Sequence, residues 1–401
     1  MSKAKIVYFY PENPAVQNQG NNARALFLLK YFKEKGVSVD FVGEESENFT
    51  TIEVLNLKKE KLIHNGWLLK KNTKGIKHFV FKILPKKISR GLLSIYSKKK
   101  HKTSINFDRT KTGQIEDFEK IIYSGNYECI IISYAYWSKL ISTESKARLK
   151  NTKTIIDTHD FMTSQFQNNK YFDIENYFNS EIKSLKKFDE IWAISIEEHF
   201  IFSQFLKEKN TLLIPHGNIS NVEKKLANPS IDIIYVASDN EHNIKAINWF
   251  LKKVYPSLPS KLKLTFVGKI CNKIAEYPNI TKLTFVEDLD QIYADAKISI
   301  CPMLSGTGLK IKVVEALSFG LPIVCNQRGV DGLLNKTNNG CLATNSSKTF
   351  AKLIIKLLND KTFYEKHKNN SIVFFKNSLS KETVYEKLDN SFFPNKKQSN
   401  S

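Results

Sequence analysis

The 401-residue sequence contains no run near the roughly 18 consecutive apolar residues that a membrane-crossing helix requires. The longest candidate, Cys129 to Trp137, is interrupted by Ser133, Tyr134 and Tyr136, so the chain is not expected to cross a bilayer. Cysteine is scarce: Cys129, Cys271, Cys301, Cys325 and Cys341 are odd in number and none forms a Cys-x-x-Cys pair. That argues against a disulfide framework or a zinc site and suits a reducing, cytoplasmic setting. The opening apolar run, ending at Tyr10 before Pro11, is too short for the core of a secretory leader and reads as a first strand. Low-complexity tracts are missing too, apart from a polar tail over 395–401. Acidic residues are the other shortage: 40 Asp plus Glu face 61 Lys plus Arg, a net +21 that favours anionic partners. The imbalance is local, because 17 basic residues between Lys58 and Lys111 face only Glu60 and Asp108.

What is present is apolar material enough for packed cores, 41% of residues, over a length that asks for about two to three domains. Short β-branched runs alternate with helical-period segments. Lys5–Tyr10, Ala23–Lys35 and Val37–Val42 read as strand, helix, strand, with Ala25, Leu28, Leu29 and Phe32 on one helix face and Gly36 at its C-terminus. Further strands are expected at Cys129–Ser133, Thr154–Asp157, Glu190–Ser195 and Leu212–Pro215, with a helix over Ile174–Lys187. After a polar stretch the pattern restarts: strands at Ile231–Val236, Lys263–Val267, Lys282–Val286, Lys297–Cys301 and Pro322–Cys325, and helices at Asn243–Val254, Leu289–Ala294, Lys310–Phe319 and Lys381–Asn390. Two successive units of this kind predict an α/β protein of two Rossmann-like domains facing across a cleft. The expected divisions are 1–217, a linker at 218–230, 231–380, and a helix and tail at 381–401 crossing back to the first domain. Ligands of such sheets bind beyond the strand C-termini.

The most informative run lies between Pro302 and Val324. A strand ends at Cys301, a small-residue loop holds Ser305, Gly306, Thr307 and Gly308, and a helix is expected to begin near Thr307 to Leu309. Its free amides and positive dipole end suit a phosphate. Lys310 and Lys312 add charge, and Glu315 offers a carboxylate to a ribose diol. An ordinary strand-to-helix turn is the competing reading of the glycines alone.

The whole string, with Pro302, Gly306, Gly308, Lys310, Lys312, Glu315, Ala316, Gly320, Pro322 and Val324 in place, resembles the nucleotide-sugar signature of the group 1 glycosyltransferases, glycosyltransferase family 4. Tyr235–Ser238, Asn243–Phe250, Phe266–Gly268, Asp288–Ala296 and Gly329–Leu333 resemble further elements of that family. The resemblance implies a B-type fold whose C-terminal domain holds a UDP- or GDP-sugar and whose N-terminal domain binds the acceptor. It also implies a retaining, metal-free transfer needing no cofactor. By this likeness Gly20, Gly306, Thr307, Gly308, Leu309, Lys310, Glu315, Asn243 and Gly268 would contact the donor. Two positions depart from the pattern: Thr307 stands where members with paired glutamates carry the first Glu, and Ala237 stands where a Gly is common.

In the first half, Pro11–Asn22 occupies the first strand-to-helix turn. It is either an Asn-capped surface loop or, like the family's glycine loop, a place where Gly20 admits close approach of a phosphate, with Arg24 as a charge partner. His159 and Asp160 follow the strand Thr154–Asp157. A metal, a structural histidine and a sugar contact are the readings, and the resemblance favours His159 and Asp160, with Lys312, as the catalytic set. His216 reads as structural, and Asp288-Leu-Asp290 as helix-capping carboxylates rather than a metal site. From Pro85, Ile88, Leu92, Ile95 and Tyr96 share one helical face, and Lys86, Lys87, Arg90, Lys98 and Lys99 lie around it, as in an interfacial helix. A helix packed on its own domain is the alternative.

The expectation is therefore an enzyme peripheral to the inner face of the cytoplasmic membrane. It would move a sugar from a nucleotide to a glycan or lipid-linked glycan, as in bacterial surface polysaccharide or lipopolysaccharide synthesis. A non-catalytic sugar-nucleotide- or glycan-binding subunit, and a nucleic-acid-binding protein using Trp67, Phe79, Phe81 and Tyr96, are the alternatives; no nucleic-acid motif accompanies those aromatics.

Overall fold

The computed structural model describes residues 4–16, 20–70, 108–111, 113–167, 169–170 and 172–393. The stretch expected to form a basic interfacial helix, with Lys86, Lys87, Arg90, Lys98 and Lys99, and the polar tail lie outside the described residues. The chain divides into two compact units. One comprises Met1–Val16, Leu28–Ala193 and Glu198–Leu212; the other comprises Gln17–Phe27, Ile194–Glu197 and Leu213–Ser401.

The first unit is built on a seven-stranded sheet: β1 (Lys5–Phe9), β2 (Ser38–Glu44), β3 (Asn65–Leu69), β4 (Cys129–Ser133), β5 (Lys153–Asp157), β6 (Glu190–Ala193) and β7 (Asn210–Leu213). Their order is β3-β2-β1-β4-β5-β6-β7. The described registers, such as Ile6↔Cys129 and Ser133↔Asp157, are parallel. β1 and β4 sit mid-sheet, buried on both faces, which is why they read as unbroken apolar runs. The helix Gly20–Glu34 buries Ala25, Leu28, Leu29 and Phe32, as its spacing predicts. Gly36 ends it at φ 71°, and Val37 N–H donates to Phe32 O across that left-handed residue.

The second unit carries a six-stranded sheet: β8 (Ile231–Val236), β9 (Leu264–Val267), β10 (Ile280–Leu283), β11 (Ala296–Cys301), β12 (Ile323–Cys325) and β13 (Cys341–Ala343). Their order is β10-β9-β8-β11-β12-β13, again parallel in each described register. Each sheet reverses direction of growth beside its first strand, the switch-point arrangement of Rossmann-like folds. The helix Lys381–Phe392 is tied by Asn218 N–H to Leu379 O and Lys381 N–H to Asn218 O. Within the 218–230 stretch, Val222–Lys224 forms a 3₁₀ turn and Asn221 N–H donates to Ser318 O.

Several boundaries differ from the sequence reading. The strand expected over Lys282–Val286 is Ile280–Leu283, because parallel pairing sets Ile280 against Leu264 and Leu283 against Val267. The helix expected from Asn243 begins at Glu241, where the Asn240 side chain accepts from Asn243 N–H, and runs on as a π turn over Phe250–Val254. The helix expected from Lys310 begins at Ile311. Gly306 and Gly308, at φ 94° and 72°, hold the preceding loop out of the right-handed region. The helices Thr51–Lys59, Gln114–Tyr123, Ile196–Phe205, Ser347–Asn359 and Lys361–Ser378, and strands β3 and β13, were not anticipated.

Gly268, which closes β9, has φ 103°, and a β-carbon there would lie 2.4 Å from Ala237 O. Gly268→Ala is expected to destabilise the second unit by about 1–3 kcal/mol, read as a lower urea midpoint at unchanged slope. A midpoint matching the wild type would show that this close approach is not needed.

Candidate functional site

The second unit gathers its unusual polar groups at the C-terminal ends of β8 and β11. Beyond β8, Asn243 Nδ2 donates to Ser238 O (3.0 Å) and to Ser238 Oγ (3.2 Å), which fixes the amide with its oxygen turned outward. That oxygen, Oδ1, accepts from Lys312 Nζ at 2.7 Å, and the same ammonium lies 5.0 Å from the centre of the Tyr235 ring. Burial lowers the Lys312 pKa from its ordinary value, so its charge is little screened by water. One turn along, Tyr293 OH donates to Glu315 Oε2 at 3.0 Å, and burial raises the Glu315 carboxyl to about 7 despite that hydrogen bond and the nearby Lys312. A cation, a carboxyl of adjustable charge and a set of oriented amides thus share one sheet edge.

The loop between β11 and the helix Ile311–Ser318 is shaped by its own lysine. Lys310 Nζ donates to Gly308 O (2.7 Å), Thr307 O (3.1 Å) and Gly306 O (3.5 Å), turning these carbonyls inward. Lys310 thus organises the turn. His242 Nδ1 meets Ser305 Oγ at 2.8 Å and lies against Gly306, joining the loop to the helix after β8. Leu309 is buried beside Gly332, whose added β-carbon would strike the Leu309 backbone at 2.6 Å. Thr307 is half-buried in the same loop.

Of the other sequence candidates, Gly20 packs against the start of the helix Ile311–Ser318 and the rest fall elsewhere. Gly20 opens the first helix of the chain, where an added β-carbon would lie 2.3 Å from Ile311 Cγ1, so it admits a side chain. Arg24 is buried, and its Nη1 donates to Ile214 O at 2.8 Å. Asp288 caps its helix by accepting from Asp290 N–H, and Asp290 pairs with Lys224 at 2.7 Å, so both carboxylates have local work. His216 is buried with its ring 5.7 Å from Phe27.

In the first unit, His159 follows β5. Its Nε2 lies 3.0 Å from Asp157 Oδ2, and its ring stacks on Tyr134 at 4.1 Å, with Tyr10 at 5.8 Å. Tyr134 has φ 70°, uncommon for a residue with a side chain, and it also stacks on Tyr136, over which the Arg109 guanidinium lies at 4.0 Å. Glu12, near Arg109 and Glu44, has its carboxyl pKa raised chiefly by burial. Asp160 is half-buried beside this stack in sequence. Sequence reasoning named His159 and Asp160 but not Tyr10, Tyr134, Tyr136, Glu12 or Arg109. In the second unit it missed Tyr293, Tyr235, His242 and Ser238. Asn240-x-x-Asn243 was a legible capping signal, whereas the tyrosines are placed only by sheet order.

Residues 230–360 match the model of the family described as glycosyl transferases, group 1. This segment, about a third of the chain, is similar to the group 1 glycosyltransferases. The two-sheet fold is of the GT-B type and is similar, over nearly its full length, to solved structures. Sucrose-phosphate synthase from Thermosynechococcus elongatus is 14% identical, with TM-score 0.67 and coverage of 99% of this chain and 100% of that one. Anabaena HepE bound to UDP is 13% identical, with TM-score 0.67 and coverage of 97% and 99%. An S. aureus TarM variant, solved with fondaparinux, α-GlcNAc-glycerol and UDP, is 12% identical, with TM-score 0.66 and coverage of 97% and 100%. Among curated proteins, an uncharacterised 44.6 kDa protein in the cps region of Klebsiella pneumoniae is 25% identical over 162 residues. That match spans 37% of this chain and 42% of the relative.

The raised Glu315 pKa has a stability consequence. A carboxyl at about 7 when folded and 4.5 when unfolded contributes fully below pH 4.5, and the contribution is lost as pH rises through 7. Glu315→Gln removes that dependence, so its stability relative to wild type should improve by roughly 2 kcal/mol between pH 5.5 and 8. A constant difference across that range would contradict the burial argument.

Proposed function

We propose that the protein moves a sugar from a UDP- or GDP-sugar onto a glycan or lipid-linked glycan, with retention at the anomeric carbon and without a metal ion. The observation that carries this reading is the poorly solvated Lys312 ammonium, held by Asn243 and Tyr235 beside a glycine turn and one helical turn from Glu315. A nucleotide sugar leaves as a diphosphate, and its developing charge needs a fixed counter-charge. Lys312 and the amides at the start of its helix supply that charge, and Glu315 accepts hydrogen bonds from the ribose hydroxyls. The turn organised by Lys310 shapes the phosphate seat, with Gly306 and Gly308 permitting close backbone approach.

In the transfer, the bond from the anomeric carbon to the phosphate oxygen breaks and its electron pair stays with the diphosphate. The acceptor hydroxyl bonds to that carbon on the face being vacated, and its proton passes to the departing oxygen. His159, oriented by Asp157 and the Tyr134 ring, and Asp160 contact the sugar rather than serve as an obligatory base. Service in surface polysaccharide synthesis is supported by the partial likeness to the cps-region protein. Peripheral membrane association is supported by the basic stretch between Lys58 and Lys111; among the described residues no helix is long and apolar enough to cross a membrane.

A thermal-shift panel of UDP- and GDP-sugars should raise the wild-type melting temperature with at least one donor, and Lys312→Ala should abolish that rise. Turnover by Lys312→Ala should fall by about 10²- to 10³-fold, the cost of losing one preorganised charge donor. EDTA should leave wild-type turnover unchanged. No shift with any donor, or turnover abolished by chelation, would contradict the proposal.

A further inference from the structure

The first unit holds a cavity of about 510 Å³ that nothing in the proposed reaction uses. It opens among the short helix Met162–Gln165, the helix Ile174–Leu185 and the helix Ile196–Phe205. Phe161, Phe172, Phe178, Ile201 and Phe205 give it a largely apolar wall. Its few polar groups, including Ser164 and Asn179, are neutral apart from Glu175.

Two features argue for an occupant with a hydrocarbon chain. The mouth is more apolar than solvent contact explains: Ile174 is 67% exposed, Phe205 59%, and Phe200, on the same helix as Phe205, 65%. The floor is also firmly built. Glu181, buried, accepts from Met162 N–H and Thr163 N–H, each at 2.8 Å, and from the Thr163 hydroxyl at 2.6 Å, so the short helix under the cavity is pinned rather than free to collapse into it. The cavity also begins one residue beyond Asp160, since Phe161 lines it. A chain seated there would lie beside Asp160, which the proposed reaction places against the sugar.

We propose that this cavity takes the hydrocarbon chain of an amphipathic acceptor, entering as a single alkyl chain. The inference rests on the transferase reading only for the identity of its owner; the chemistry of the cavity stands without it. An apolar lining discriminates by chain length, because each methylene withdrawn from water adds to affinity. Aromatic walls accommodate a flexible chain without demanding polar partners.

The test uses alkyl phosphates as probes. Titration calorimetry on the full chain should show dodecyl phosphate, below its micelle concentration, binding at least tenfold more tightly than butyl phosphate. Asn179→Trp, an exposed helix position on the lining, should weaken dodecyl phosphate at least tenfold, and Ser164→Trp provides a second block should the first misfold. Equal affinity for the two chain lengths, or indifference to both folded variants, would overturn the proposal. So would a Phe200→Ser, Phe205→Ser double variant that loses binding to phosphatidylcholine vesicles yet keeps wild-type dodecyl phosphate affinity, since the apolar rim would then serve the bilayer. Chain-length-dependent binding in a protein that ignores every nucleotide sugar would sink the transferase reading and leave the cavity assignment standing.

Discussion

The second unit depends on a half-buried lysine whose ammonium is met by protein groups more than by water. An isolated ammonium buried in protein is expensive, and an ordinary core would replace it. Here the cost is offset by the side-chain oxygen of Asn243, the face of Tyr235 and the nearby Glu315, and Asn243 and Glu315 are each held by a second contact. Most of what distinguishes the C-terminal edge of this sheet follows from that arrangement. The glycines stop the helix from starting early, Lys310 folds the loop onto its own ammonium, and the Asn240 cap sets the position of Asn243.

The same groups underlie the proposed fit of a diphosphate. Lys312 is only partly compensated, because Asn243 contributes a dipole and Glu315 resists ionisation until about neutral pH. A dianionic ligand would complete the neutralisation, and relieving that uncompensated charge is a source of binding energy. The match of residues 230–360 to the group 1 glycosyltransferase model and the GT-B fold agree with this chemistry.

Sequence periodicity carried much of the fold because the described registers of both sheets are parallel. β1, β4, β8 and β11 are buried on both faces and therefore appear as continuous apolar runs that flank amphipathic helices. Edge elements were hidden for the converse reason. β3 is Asn-Gly-Trp-Leu-Leu and is mostly half-buried, and β13 has only three residues, so neither shows a decisive pattern. In the site, Lys312 and Glu315 stood out because a local spacing places them on one helix. Tyr293 and Tyr235 did not, since their proximity comes from strand order between β8 and β11. The same limit hid the stack of Tyr10, Tyr134 and His159, which follow three different strands, the first more than a hundred residues of chain from the other two.

The most direct measurement is a crystal structure of the protein grown with UDP. The account predicts the diphosphate within hydrogen-bonding distance of Lys312 Nζ and the amides of Gly306 to Lys312, with the ribose hydroxyls on Glu315. A diphosphate seated elsewhere, or held to the protein through a divalent cation, would contradict it.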